Sequence, residues 1–224
     1  MGKGLKIFAA FVIALIGAFI VLNFTIDGIV KSNIEETGTE LFQTEVNVGN
    51  VNISLFDGSG EIYGFTVANP EDFSDEPAIE MEEIRMKVDL TSLLSDTIFV
   101  ENVHIIGASL FFEQQGFGIN LRQLNQNMDL AAEEDETAMV IDYLLVENST
   151  VTVSSTIDRE RTAEATIESF ELNNIGRQGS NTKKQSMQQV MEPLIERAIQ
   201  EAVSSGLLEQ LENKVRDLLG GDNE

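Results

Sequence analysis

The chain has 224 residues, and 14 Lys plus Arg against 38 Asp plus Glu leave a formal net charge of −24. That balance excludes a basic nucleic-acid binder, so no nucleic-acid partner is expected. With 42% hydrophobic residues the chain builds a core rather than an acidic disordered coil. No Cys is present and His104 is the single histidine, which removes disulfides, cysteine nucleophiles and multi-histidine metal clusters. Neither a metal nor a cofactor is expected.

In chain order, the first element is an uncharged apolar run from Ile7 to Ile26, 20 residues long. At about 1.5 Å per helical residue it reaches roughly 30 Å, one bilayer hydrocarbon thickness. The run exceeds an ordinary signal-peptide core and no A-x-A cleavage site follows, so residues 1–26 are expected to be a short tail and an uncleaved single transmembrane anchor. Lys3 and Lys6 place the tail in the cytoplasm and send the rest across, which in a bacterium means the periplasm. From Ser32 onward, 11 Lys plus Arg stand against 37 Asp plus Glu, a charge of −26. Such a body is repelled by anionic headgroups.

Residues 27–42 are expected to continue outward as an amphipathic helix, since Ile26, Ile29, Val30, Ile34 and Leu41 recur at near-helical spacing, with Gly38 a candidate end. From Val46 the period becomes two. Val46, Val48, Val51, Ile53 and Leu55 alternate with polar residues, slipping phase at Gly49-Asn50. Asp57-Gly58-Ser59-Gly60 predicts a hairpin into a strand from Ile62 to Val67. Ile84, Met86, Val88 and Leu90 alternate with charges. After a turn at Ser92-Leu93-Leu94-Ser95 come Ile98 and Val100, then Val103 and Ile105 beyond a second slip at Glu101-Asn102, then Leu110, Phe111 and Phe112.

Leu121, Leu124 and Met128 mark one face of a helix over residues 120–130, and the acidic run at 133–136 reads as a loop, not a calcium site. Strands resume over 139–146, 150–157 and 162–172, where Ala163, Ala165 and Ile167 alternate with polar residues. A polar linker over 177–184 leads to an apolar stripe at 3.6 spacing over 185–220. Pro193 is expected near a start or kink of that helix, and Gly206 as a point of division. The fold expected is α+β: an anchor, then over 43–176 a curved antiparallel sheet of about eight or nine strands forming an open half-pipe, then a C-terminal amphipathic helix. Packing on the sheet is the default for that helix, a lid the alternative.

No enzymatic kit stands out, so no catalytic residue is assigned. His104 alternates outward between Val103 and Ile105, Asp142 reads as an outward strand residue, G-x-S-x-G is absent, and Gly116-Phe117-Gly118 is a turn.

Several stretches resemble a known family. The apolar anchor, Ser54-Leu55-Phe56-Asp57-Gly58-Ser59-Gly60, then Gly64-Phe65-Thr66-Val67-Ala68-Asn69-Pro70-Glu71-Asp72-Phe73, Thr91-Ser92-Leu93-Leu94-Ser95-Asp96 and Asn120-Leu121-Arg122-Gln123-Leu124 follow in the order and spacing of AsmA-like envelope proteins. The likeness covers about residues 5–130 and, more weakly, runs to 176. It implies a bacterial inner-membrane, periplasm-facing protein related to bridge-like lipid transfer proteins, with an apolar groove for acyl chains and no catalytic residues. Groove candidates are Ile84, Met86, Val88, Leu90, Ile98, Val100, Val103, Ile105, Phe111, Ala163, Ala165 and Ile167. Membrane lipid is then the expected partner, in cell-envelope lipid homeostasis. The alternative is a tethered adaptor that recruits a protein, or another copy of itself, through a sheet edge or the C-terminal helix.

Overall fold

The computed structural model describes residues 25–130, 137–154, 162–177 and 182–206, together with residues 209 and 213. Lys3, Lys6 and all but the last two residues of the expected anchor lie outside the described residues, as does the acidic run at 133–136. Among the described residues no helix is long and apolar enough to cross a membrane.

Residues 25–42 form helix α1. Gly38 does not end it; a Cβ there would lie 2.9 Å from Val46 Cγ1, so glycine lets the helix approach the first strand. The strands are β1 (Val46–Ser54), β2 (Ser59–Val67), β3 (Ile79–Val88), β4 (Thr97–Phe112), β5 (Gln114–Gln115) and β6 (Gly118–Ile119). Helix α2 (Asn120–Leu130) follows, then β7 (Ala138–Glu147), β8 (Ser149–Ser154), β9 (Thr162–Ile167), β10 (Phe170–Ile175) and helix α3 (Lys183–Ser204). Among the described residues eight strands make one open sheet, with β5 and β6 a separate small hairpin.

The expectation of a purely antiparallel meander is corrected. Strands β7 and β8 both pair parallel with β4. Parallel neighbours need a long crossover, and β5, β6 and α2 supply it. The eight strands match the expected count and fall into six lines. Strands β7 and β8 keep one register along β4, from Ile106↔Glu147 to Ser109↔Thr150, and are one line broken at Asn148, whose φ is 56°. Strands β10 and β9 return alongside as a second broken line. The sheet is therefore six lines wide, in the order β1, β2, β3, β4, β7/β8, β10/β9.

The phase slip read at Gly49-Asn50 belongs to a line crossing the sheet. Asn50 pairs with Tyr63, Tyr63 with Glu83, Glu83 with Ile106, and Ile106 with Glu147. At this level the buried side chains jump by three in β1, β2, β4 and the β7/β8 line: Val48 to Val51, Ile62 to Phe65, Ile105 to Ala108 and Val146 to Ser149. Gly64 and Gly107 adopt φ of 64° and 65° on the line, where a side chain is strained. Because neighbouring strands slip together, the apolar face stays continuous and the register is kept.

Helix α1 runs antiparallel to β1 and closes that edge. The oxygens of Asp27, Glu35 and Thr39 accept hydrogen bonds from the backbone N–H groups of Ile53 (2.8 Å), Val48 (3.0 Å) and Val46 (3.1 Å), and Lys31 Nζ donates to the Gly49 carbonyl at 3.3 Å. The four side chains are four residues apart, about 6 Å along a helix, so they line the one face of α1 that meets β1. One polar stripe thus satisfies the outward groups of an edge strand, a protection against edge-to-edge pairing.

Helix α3 packs across β7, β8, β9 and β10 and reaches β4 and α2. Val190, Leu194, Ile195, Ala198 and Ala202 on it are buried, so the helix is part of the core rather than a detached lid. Pro193 sits inside it, not at its start, and Gly206, with φ 64°, follows its end. Leu121, Leu124 and Met128 of α2 are buried on the same side of the sheet, as their spacing predicts.

Candidate functional site

The groove candidates fall into three groups. Val100, Val103, Ile105 and Ile167 are buried in the ordinary core, and Ala163 and Ala165 are half-buried beside it, paired with Val153 and Val151 of β8. Phe111 is on the wrong face. Its neighbours Leu110 and Phe112 are 0% and 2% exposed, so alternation turns Phe111 outward, into a shallow depression with Glu76, Glu80, Ser109 and Thr152. In the sequence, three successive apolar residues hide which of them faces in.

The third group is Ile84, Met86, Val88, Leu90 and Ile98, each half-buried. Ile84, Met86, Val88 and Ile98 border the core together with Ile53. They lie on the helix-bearing face between α1, along β1, and α3, over β7 to β10. Gly60 on β2 separates Ile53 from Met86 in the register. A Cβ there would come within 3.1 Å of both Ile53 Cδ1 and Met86 Cγ, so these two side chains close over the glycine and make a continuous apolar floor. The result is a strip on β1 to β4 that the described helices cover only in part.

The strip leads to the end of the sheet where α1 begins. There the β1–β2 turn exposes Phe56 by 92%, and the turn after β3, with a short 3-10 segment at Ser92–Leu94, exposes Leu94 by 95%. The turns are held together: Val88 N–H donates to the Gly58 carbonyl and Asp89 N–H to the Phe99 carbonyl, both at 2.9 Å. Gly58 has φ 78°, and a Cβ there would stand 2.2 Å from the Val88 carbonyl oxygen, so the Asp57-Gly58 signal in the sequence has a steric cause.

The face opposite the helices is polar. Arg85 grips Glu83 through two hydrogen bonds of 2.8 and 2.7 Å, His104 Nε2 lies 3.0 Å from Glu147 Oε1, and Arg177 meets Asp142 at 2.7 Å. His104 and Asp142 thus face outward, as alternation requires. The Arg85 hydrogen bonds hold Glu83 below the usual carboxylate range, whereas hydrogen bonds to Glu61 and Glu83 push the Tyr63 phenol up to about 12. Burial, then Glu171, raises Tyr143. At the turns, Asp57 is held low first by Ser54, then by Ser59 and Lys87, and Asp89 by Thr91. The groups so shifted stand on a turn or on the outer face, and none lies in the apolar strip.

Sequence reading missed a buried polar knot beside α2. Glu113 Oε2 accepts from Ser74 Oγ (2.6 Å), Ser74 N–H (2.9 Å) and Asn69 Nδ2 (3.2 Å). Asn120 donates to Asn69 Oδ1 at 2.7 Å and to the Phe111 carbonyl at 2.6 Å, and accepts from Glu113 N–H at 2.9 Å. Asn69 and Asn120 belong to two of the stretches that carry the AsmA-like resemblance, and here they bind each other. The signal available was a polar Asn opening an otherwise apolar helical face. No family model, no curated protein and no solved structure matches the chain, so that resemblance rests on the quoted residues alone.

Proposed function

We propose that the chain is a membrane-anchored envelope protein that holds lipid acyl chains on the half-covered strip formed by Ile53, Ile84, Met86, Val88 and Ile98. The observation that carries this reading is the strip itself, apolar, continuous and leading to the end of the sheet where the chain arrives from its 20-residue apolar run. Lys3 and Lys6 orient that run with the tail in the cytoplasm and the sheet on the far side, the periplasm of a bacterium.

Six lines about 4.8 Å apart make a sheet only some 25 to 30 Å across. Such a sheet is a holder near its own membrane rather than a conduit across the envelope. The adaptor alternative loses one of its surfaces, because α1 closes the β1 edge. Its remaining edge, β9 and β10, exposes Glu164 and Glu171.

The test is native mass spectrometry of the full chain from detergent, beside Met86→Glu. Both proteins carry the same lipid around the anchor, so a difference reports the strip. The wild type is expected to retain phospholipid in fixed stoichiometry and the folded variant to lose it, since an unpaired carboxylate on an apolar floor costs several kcal/mol. Equal retention by both, with equal melting temperatures, contradicts the reading. A stoichiometric protein in place of lipid selects the adaptor.

A further inference from the structure

Phe56, Leu93 and Leu94 are exposed by 92%, 49% and 95% on the two joined turns at one end of the sheet, and Phe99, exposed by 43%, stands beside them near the start of β4. Single exposed apolar residues are ordinary; three on adjoining turns with a fourth at the start of the next strand are a patch that wants a partner. We infer that this end of the sheet seats on the surface of the bilayer, with these side chains at the level of the headgroups and the apolar strip opening onto the lipid.

The occupant follows from where the chain enters. Asp27, one residue beyond the apolar run, accepts a hydrogen bond from Ile53 N–H at 2.8 Å, and Ile53 lies in the strand that ends in the Phe56 turn. If Ile26 marks the membrane surface, Ile53 lies beside that surface and Phe56 projects further toward it. Four contacts along α1, from Asp27 to Thr39, fix the helix to β1, so the approach is built into the fold.

Charge selects the kind of surface. Asp57, hydrogen-bonded to Ser54 and Ser59 and paired with Lys87 at 3.2 Å, and Asp89, which accepts from Thr91 at 2.7 Å, border the patch, both held below the usual carboxylate range. Carboxylates at this depth suit headgroups that carry an ammonium, and repel anionic ones. Phe117, fully exposed on the β5–β6 turn at the opposite end of β4, is the internal control.

This inference rests on the anchored reading above, and the experiment separates the two. The chain has no Trp, so Leu94→Trp, Phe56→Trp and Phe117→Trp each install a unique fluorophore in the full-length protein. The variants are reconstituted into phosphatidylcholine vesicles with and without a spin label near the headgroup. Leu94→Trp and Phe56→Trp are expected to emit at shorter wavelength and to be quenched several-fold more than Phe117→Trp. Failure of the protein to float with the vesicles overturns the anchor and the seating together. Flotation with equal, weak quenching at all three sites overturns the seating alone. Blue-shifted emission at Leu94→Trp and Phe56→Trp without quenching assigns the patch to a protein contact and overturns it as well.

Discussion

Asn120→Ala is expected to lower the stability of the folded domain by about 2–4 kcal/mol, read as the midpoint and slope of urea unfolding of the full chain. Asn120 is 0% exposed and Glu113 only 2%. The single side chain makes three hydrogen bonds, two as donor and one as acceptor, all 2.9 Å or shorter. Alanine leaves the Glu113 N–H, the Phe111 carbonyl and Asn69 Oδ1 without that partner inside the protein, and a buried polar group so left costs its full desolvation. Asn120→Asp tests the same site by charge. It removes the donor and sets a second carboxylate into the knot that holds Glu113, so it is expected to cost more than alanine at neutral pH. A loss under about 1 kcal/mol for both variants contradicts this account of the knot.

The second large effect concerns the sheet edge. Asp27→Ala with Glu35→Ala removes two of the three acceptors that α1 offers to β1. The outward N–H groups of Val48 and Ile53 then lack partners, at about 1–3 kcal/mol each if they stay buried. Hydrogen exchange gives the specific readout: these two amides are expected to lose protection while Val151 in the interior keeps it. An opened edge also invites pairing between copies, so the double variant is expected to associate with rising concentration. Asp27→Asn with Glu35→Gln keeps a carbonyl oxygen at each site and is expected to stay close to wild type. Unchanged protection at Val48 and Ile53 in the alanine variant would show that α1 does not close the edge.

These effects lie where sequence reading was weakest. Period-two alternation in β1 to β3, the Asp57-Gly58 turn, the Leu121–Leu124–Met128 stripe and the stripe of α3 were all legible, because each is a local pattern set by one element. The parallel pairing of β4 with β7 was not, since a strand's own residues do not say which way its neighbour runs. The slip at Gly49-Asn50 was visible, yet its meaning as a line through adjacent strands appears only when Asn50, Tyr63, Glu83, Ile106 and Glu147 are set in register.

The candidate site was legible in part for a similar reason. Ile84, Met86 and Val88 were placed on one face by alternation, and they share it in the structure. What alternation does not disclose is cover. Val100, Val103 and Ile105 have the same pattern but end in the core. Phe111 failed because Leu110-Phe111-Phe112 offers no alternation to read. Asp27, Lys31, Glu35 and Thr39 stood in plain view at four-residue spacing, but their partner is backbone, which leaves no trace in composition. The stretches around Asn69 and Asn120 likewise read as family signature, and the structure gives those two residues a structural task beside α2.

The most direct test of lipid on the strip is photocrosslinking of the full chain in its own membrane, with p-benzoylphenylalanine placed at Met86 and, separately, at Phe111. The two positions lie in adjoining strands on opposite faces of the same sheet. Phospholipid adducts at Met86 and none at Phe111 are the result predicted here. Adducts equal at both positions, or a protein adduct at Met86 in place of lipid, would contradict it.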